Sequence, residues 1–301
     1  MWNKNKNAGA CRSKLWIAIA YVMLAVALIG CLICTVLIVG QMKNRDWTLA
    51  NGFGSKTDRI RIYIDQGHNP APYHNSGAEG NGLYEQDLTF HIGCLLADQL
   101  KKDGRFEVCL SRPDENAVLG TDNTSSLQAR VDGATDFHAD YFISLHINSF
   151  SESTVKGIEV FSATGYTESY DFGNSLLQGL EDSTGLKNRG MKLNPNLYVL
   201  KHATMPAVLL EMGFISNSED AALLCEQPEL FVQGIYDGIL NYFEHIYILK
   251  VCTLIGLIGV VSVIFFIAGF VLMKKYNLKQ TRTSVENMDG DDSAQESERI
   301  S

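Results

Sequence analysis

Two uninterrupted apolar runs frame the chain. The first covers residues 15–42 and the second residues 251–273, and neither contains a charged side chain. A helix needs about 20 residues to cross the roughly 30 Å hydrocarbon core of a membrane. Backbone polar groups in lipid must bond within their own segment, so both runs predict transmembrane helices.

Cations flank the two runs unevenly. The basic residues before the first run are Lys4, Lys6, Arg12 and Lys14, and those after the second are Lys274, Lys275, Lys279 and Arg282. The inner flanks carry only Lys43, Arg45 and Lys250. Because cytoplasmic flanks are enriched in Lys and Arg, both termini are expected in the cytoplasm. The expected segments are a basic N-terminus 1–14, spans 15–42 and 249–273, a linker 43–57, an extracytoplasmic domain 58–245 and a disordered cytoplasmic tail 274–301, which is acidic from Ser284 onward.

The first run has two competing interpretations. A secretory signal peptide has an apolar region of about 7–15 residues and a small-residue cleavage site, and residues 15–42 fit neither feature. The tetrapeptide Leu28–Cys31 matches the pattern that precedes a lipidated cysteine, but the apolar run continues beyond it to Val39. A membrane span is favoured, and lipidation of Cys31 stays open.

Between the runs, short apolar stretches alternate with stretches of helical periodicity. Strands are predicted at 59–65, 106–110, 141–146, 157–162, 196–201 and 207–211. Helices are predicted at 88–100, 127–138, 168–183 and from 229 onward. The stretch 141–146 has few polar positions, as expected for a strand that is covered on both faces. This alternation indicates a single three-layer α/β domain with a largely parallel, twisted sheet.

The composition of the domain limits its partners. Residues 58–244 contain 12 Lys or Arg against 27 Asp or Glu. An acidic surface of this kind argues against nucleic acid or anionic lipid as a partner. The domain holds three cysteines, Cys94, Cys109 and Cys225, an odd number without metal-ligand spacing, and we expect buried free thiols.

Candidate ligands follow three of the predicted strands. His68 follows the first strand, His146 ends the middle one, and Glu211 ends the last, while Glu85 begins the first helix. In parallel sheets the functional site lies beyond the carboxyl ends of the strands. Two histidines and one carboxylate form a catalytic zinc set, and a second carboxylate can serve as the base. Taken singly, a strand-end histidine can be structural and a helix-start glutamate can complement the helix dipole, so spacing alone leaves these alternatives open.

The order of the motifs carries a resemblance to a known family. The blocks are Ile64–His68, Gly77–Asp87, Leu110–Arg112, Leu127–Arg130, Ala139–Ser149, Asn188–Gly190, Leu197–Leu200 and Met205–Asn217. Together they resemble the N-acetylmuramoyl-L-alanine amidase family, catalytic type 3, over residues 60–243. The resemblance implies a phosphorylase/hydrolase-like α/β fold and one Zn²⁺ per catalytic domain.

The resemblance also assigns roles to individual residues. It implies that the zinc ligands are His68, Glu85 and His146, and that Glu211 is the catalytic acid/base. Asn148 and Arg189 are expected to contact or orient the substrate. The sequence departs from the family at Gln66 and Asn69, where small residues are common, and in a loop, 69–76, that is longer than usual.

These observations predict a membrane-anchored amidase of a bacterium, expected to be Gram-positive, with peptidoglycan as its substrate. It would cut the amide bond between N-acetylmuramic acid and L-alanine during cell-wall remodelling. The alternatives are a zinc carboxypeptidase acting on stem peptides and an inactive wall-binding scaffold. The expected partners are peptidoglycan and the membrane, with no nucleic acid.

Overall fold

The computed structural model describes residues 59–299 continuously and residues 18, 19, 21, 22, 25, 28–32, 35 and 36 before them. The chain divides into two compact units, Trp47–Ile246 and a second unit made of Met1–Asp46 with Tyr247–Ser301. Most of the first apolar run, and all of the linker 43–57, lie outside the described residues.

Strands and helices alternate along the domain, and a small hairpin, the strand at 188–193 and the helix at 218–226 are additional to the predicted elements. The strands of the main sheet are β1 (Ile60–Asp65), β4 (Phe106–Leu110), β5 (Tyr141–Asn148), β6 (Ile158–Ser162), β7 (Asn188–Leu193) and β8 (Ala207–Phe214). A small hairpin consists of β2 (Glu79–Gly80) and β3 (Leu83–Tyr84). The helices are α1 (Glu85–Asp103), α2 (Asn123–Asp136), α3 (Glu168–Thr184), α4 (Tyr198–His202), α5 (Ser218–Glu226) and α6 (Pro228–Arg299).

The main sheet has six strands in the order β4-β1-β5-β8-β6-β7. Every neighbouring pair is parallel except β6 and β8, which run antiparallel. The prediction of an α/β domain with a largely parallel sheet is confirmed. The central strands β1, β5 and β8 are almost entirely buried, so their apolar sequences reflect cover on both faces.

One predicted strand is wrong. Residues 196–201 were expected in a strand, but Tyr198–His202 forms the short helix α4, and β7 occupies the outer place in the sheet. A short apolar run cannot be assigned to strand or helix by periodicity alone. Here Val199 and Leu200 are buried in a cluster with core residues such as Phe142, so packing on the sheet determines the helix.

The second apolar run lies within α6. In the described part of the chain, this one helix is long and apolar enough to cross a membrane, over Pro228–Thr283, with a mean hydropathy of 2.8 in its most apolar window. The helix continues to Arg299 in place of the predicted disordered tail. Residues 274–299 contain no proline and a single glycine, so little in them interrupts a helix.

The cysteines of the domain are free thiols, as predicted. Cys94 and Cys109 are only partly buried, and Cys225 is exposed, whereas full burial was expected. Cys94 lies on α1 beside the amide of Gln66, whose Nε2 is 3.5 Å from its sulfur.

Candidate active site

Three side chains converge at the carboxyl ends of β1 and β5. His68 Nε2 lies 3.0 Å from Glu85 Oε1, and His146 Nδ1 lies 3.1 Å from the same oxygen. The two histidine nitrogens are 3.1 Å apart. Because β1 and β5 are parallel neighbours, their ends meet at one edge of the sheet, and α1 begins there with Glu85.

This donor set fits a zinc ion. Two imidazole nitrogens and one carboxylate oxygen are a known catalytic zinc set, and tetrahedral ligands about 2.0–2.1 Å from the metal lie about 3.3 Å from each other. In the structure the three ligand atoms lie 3.0, 3.1 and 3.1 Å from one another. The cluster of His68, Glu85 and His146 can therefore hold a metal ion.

The backbone around His68 aims its ring at the cluster. Its Nδ1 is 3.1 Å from the carbonyl oxygen of Asn75, so Nδ1 carries the proton and Nε2 presents its lone pair to the metal position. His68 has a φ of 30° and Gly67 a φ of 61°, both left-handed. A Cβ at Gly67 would lie 2.4 Å from the carbonyl oxygen of Leu145, so only glycine fits this turn.

Glu85 is fixed by backbone donors on both of its oxygens. The amide of Ala78 donates to Oε2 at 2.8 Å, and the amide of Ile147 donates to Oε1 at 2.9 Å. Burial raises the pKa of Glu85, but hydrogen bonds with His146 and His68 outweigh burial and hold the pKa below its ordinary value. The side chain is therefore ionised at neutral pH, as a metal ligand must be.

Glu211 stands beside this cluster on β8. It is paired in register with His146 on β5, and it is the one residue of β8 whose side chain is not fully buried. Its Oε2 is buried and has no hydrogen-bond partner among the described residues. Burial, followed by the charges of Glu85 and Glu159, raises the pKa of Glu211 well above its ordinary value. An unpartnered carboxyl with a raised pKa next to a metal position is suited to general acid–base chemistry.

A further residue of the site, Glu159, is not indicated by the sequence motifs. This buried residue of β6 is paired with Glu211 in register across the antiparallel β6–β8 ladder. Its Oε1 accepts a hydrogen bond from Asn148 Nδ2 at 3.0 Å, and its Oε2 accepts one from Arg189 Nε at 3.0 Å. Glu159 thus links the two residues that the resemblance assigned to the substrate. The one sequence feature that could have indicated Glu159 is that it is a single acidic residue inside the apolar strand Ile158–Ser162.

The two departures from the family pattern have structural roles. Gln66 Oε1 accepts a hydrogen bond from the amide of Arg112 at 2.9 Å. The buried Asn69 donates from Nδ2 to the carbonyl of Leu119 at 3.0 Å and accepts at Oδ1 from the amide of Leu119 at 3.0 Å. The ring of His74 also lies against that carbonyl, at 3.2 Å. These contacts fasten the long loop 69–76 to the segment around Leu119.

A buried ion pair lies next to the site, at the carboxyl end of β1. Arg130 of α2 lies 2.5 Å from Asp65 Oδ1 at the end of β1, and Ser144 Oγ of β5 donates to Asp65 Oδ2 at 2.7 Å. Burial raises the pKa of Asp65, but the charge of Arg130 contributes most to holding the pKa below its ordinary value. The pair joins β1, β5 and α2 just before the two histidine-bearing segments.

Comparison with known proteins places this geometry in a family. A family model described as N-acetylmuramoyl-L-alanine amidase matches residues 62–241. The chain is 33% identical over 187 residues to the uncharacterized protein YqiI of Bacillus subtilis, covering 61% of this chain and 84% of that one. It is 32% identical over 212 residues to the amidase LytC of the same organism, covering 69% of this chain and 40% of LytC.

A solved structure gives the same result. The catalytic domain of CwlV, an N-acetylmuramoyl-L-alanine amidase from Bacillus (Paenibacillus) polymyxa, is 33% identical, with a TM-score of 0.54, over 60% of this chain and 97% of that one. The chain therefore belongs to the N-acetylmuramoyl-L-alanine amidase family of cell-wall hydrolases.

Proposed function

We propose that the chain is a membrane-anchored, zinc-dependent amidase that hydrolyses the amide bond between N-acetylmuramic acid and L-alanine in peptidoglycan. The observation that carries this proposal is the convergence of His68, Glu85 and His146 beside Glu211. A set of three metal-ligating side chains, next to a carboxyl group that has no hydrogen-bond partner, contains the groups that amide hydrolysis needs. The alignment with amidases over this region supplies the substrate class.

His68, Glu85 and His146, which bring Nε2, Oε1 and Nδ1 together, would hold the zinc. Zinc held there would supply a Lewis acid for the scissile carbonyl and would lower the pKa of a water molecule to about 7. Glu211 takes a proton from the attacking water and later gives a proton to the leaving nitrogen. The carbon–nitrogen bond breaks, leaving a carboxylate on the lactyl group of the sugar and a free amine on L-alanine. Burial raises the pKa of Glu211 above its ordinary value, so its carboxylate accepts a proton from water more readily than an exposed glutamate does.

The proposal includes a location at the cell membrane, with the catalytic domain on the outer side. The apolar helix Pro228–Thr283 and the apolar run 15–42 are its two anchors, with both termini in the cytoplasm and the domain outside. Peptidoglycan lies outside the membrane, so this topology puts the site on the side of its substrate. The relatives YqiI and LytC come from a Bacillus, which supports a Gram-positive source.

Product analysis tests the reaction. The full chain, purified in detergent and loaded with zinc, is incubated with purified peptidoglycan, and the soluble products are identified by mass spectrometry. Stem peptides with a free N-terminal L-alanine are expected, together with glycan strands that retain their lactyl groups. Released D-alanine would instead indicate a carboxypeptidase, and binding without any product would indicate a scaffold. The variant Glu211→Gln, treated identically, serves as the inactive control.

A further inference from the structure

The polar residues of the site form a row that crosses four strands. His146 of β5 is paired with Glu211 of β8, and Glu211 is paired with Glu159 of β6. Directly paired residues of neighbouring strands point to the same face of a sheet. The row therefore runs from the metal cluster through Glu211 to Glu159 on a single face.

An irregularity in β7 extends this row to Arg189. The register between β6 and β7 shifts between the pairs Ile158–Asn188 and Val160–Met191, so two residues of β7 lie opposite Glu159. Such bulges redirect side chains, and here Gly190 has a φ of 87°. The result is that Arg189 turns onto Glu159, with Nε 3.0 Å from Oε2.

The guanidinium of Arg189 is fixed in position, and one of its nitrogens still has hydrogen-bond donors available. It lies over the ring of Phe214, 5.0 Å from the ring centroid, and Nη1 is 3.5 Å from the carbonyl oxygen of Lys156. Nη2 has no hydrogen-bond partner among the described residues, and the side chain is 29% exposed. Glu159 itself is 8% exposed and is fully engaged by Arg189 and Asn148. Arginine held in this way offers a fixed fork of donors, which matches a carboxylate.

The direction of the substrate follows from the proposed role of Glu211. This residue protonates the leaving nitrogen, and it lies between the metal cluster and Glu159. The stem peptide begins at that nitrogen and therefore extends toward Glu159 and Arg189. Strands are spaced about 4.8 Å apart, so the fork lies about 5–10 Å beyond Glu211. A peptide covers about 3.5 Å per residue, which places its second residue at the fork.

We infer that Arg189, positioned by Glu159, binds the carboxylate borne by the second, glutamyl residue of the stem peptide. The enzyme then discriminates a stem peptide with a free carboxylate at this residue from one in which it is a carboxamide. This inference rests on the proposed function, since it takes the stem peptide as the substrate.

The test uses two soluble disaccharide–tripeptides that differ only in a carboxylate or a carboxamide on the second residue. With the full chain in detergent, the wild type is expected to prefer the carboxylate by about tenfold or more in kcat/KM, as for a hydrogen bond to a charged group. The variant Arg189→Gln should bring this ratio to about one. Arg189→Lys should retain part of the preference, and Glu159→Gln should lower it, because the fork is no longer fixed. Lys187→Gln, which removes an exposed cation from the segment before β7, should leave the ratio unchanged.

A binding measurement makes the test independent of turnover. Calorimetric titration of Glu211→Gln with the two released tripeptides should show tighter binding of the carboxylate form, and adding Arg189→Gln should remove the difference. A wild-type ratio near one, or a ratio that survives both Arg189→Gln and Glu159→Gln, overturns the inference. If the wild type hydrolyses neither substrate, the proposed function fails, and the titration still decides whether Arg189 binds the carboxylate.

Discussion

His146 and Glu211 stand directly opposite each other on the neighbouring parallel strands β5 and β8. Their side chains point to the same face of the sheet, so the register of one strand pair brings the proposed metal ligand and the proposed acid/base together. A shift of one residue would turn Glu211 to the other face and separate the two groups. The site therefore depends on the packing that fixes this register, in which Leu145 and Leu210 are fully buried.

Replacing Glu211 should separate chemistry from metal binding. We expect Glu211→Gln to lower kcat by about 10²–10⁴-fold, the usual contribution of general acid–base catalysis. Zinc content should remain at one ion per chain, because Glu211 is not among the three clustered ligands. Steady-state kinetics and metal analysis of the same preparation measure both. Glu226→Gln, an exposed acid on α5, is the control, and near-wild-type turnover by Glu211→Gln would refute its assigned role.

Replacing Glu85 should act on the metal first. Removal of the carboxylate leaves two ligands. Replacing a residue that only hydrogen-bonds to a metal ligand already lowers metal affinity by about 10–100-fold, so we expect Glu85→Gln to weaken zinc binding by more than about 100-fold. Competition with a chromogenic chelator measures this affinity. The exposed Glu79→Gln on the nearby hairpin should bind zinc as the wild type does. An unchanged zinc affinity in Glu85→Gln would exclude this residue as a ligand.

Metal removal should be reversible. Dialysis of the wild type against a chelator is expected to abolish peptidoglycan hydrolysis, and adding back about one equivalent of Zn²⁺ should restore it. Turbidity loss of purified walls provides the assay. Hydrolysis that persists in chelated protein, verified to be metal-free, would contradict a zinc mechanism.

Asp103 should contribute to the loss of stability in acid. Burial raises its pKa, but hydrogen bonds from Arg105 and Tyr236 outweigh burial and hold the pKa below its ordinary value. A depressed folded-state pKa stabilises the fold above the unfolded value of about 4, and this contribution is lost as the pH falls through the folded-state pKa. Asp103→Asn should therefore melt earlier than the wild type at pH 7, and the difference should shrink toward pH 3. Thermal melts across this range measure it, and a difference independent of pH would assign the effect to packing.

The contact between α3 and α6 should not tolerate a methyl group. A Cβ at Gly179 would lie 2.2 Å from the carbonyl oxygen of Gly234, and this backbone atom cannot rotate away. We expect Gly179→Ala to destabilise the domain by about 1–3 kcal/mol, although alanine is the better helix former by about 1 kcal/mol. Thermal or chemical unfolding measures the change. Gln178→Ala, exposed on the same helix, is the control, and a stabilised Gly179→Ala would show that the helices can separate at no cost.

The sequence by itself determined the class of fold and the candidate ligands. Apolar runs such as 141–146 mark strands covered on both faces, and their alternation with helical periodicity implies a largely parallel sheet, as observed. Polar residues that follow such strands must meet at one edge, so His68, His146 and Glu211 could be selected before any coordinates. Local pattern is sufficient to name these residues as candidates, because burial is expressed residue by residue along the chain, whereas their roles as ligands and base were assigned by the order of the family motifs.

Only the tertiary structure decided which strands are neighbours, and with them the rest of the site. Glu159 contacts Arg189, which is 30 residues further along the sequence, and no local pattern at either position predicts this contact. The same limit explains α4, where burial of Val199 and Leu200 against the sheet determined a helix that the sequence left ambiguous. Asn69 likewise gained its role from Leu119, which is 50 residues away. Hydrogen bonds and packing between distant segments form only when the sheet order and register are set, and neither is encoded in the periodicity of a single segment.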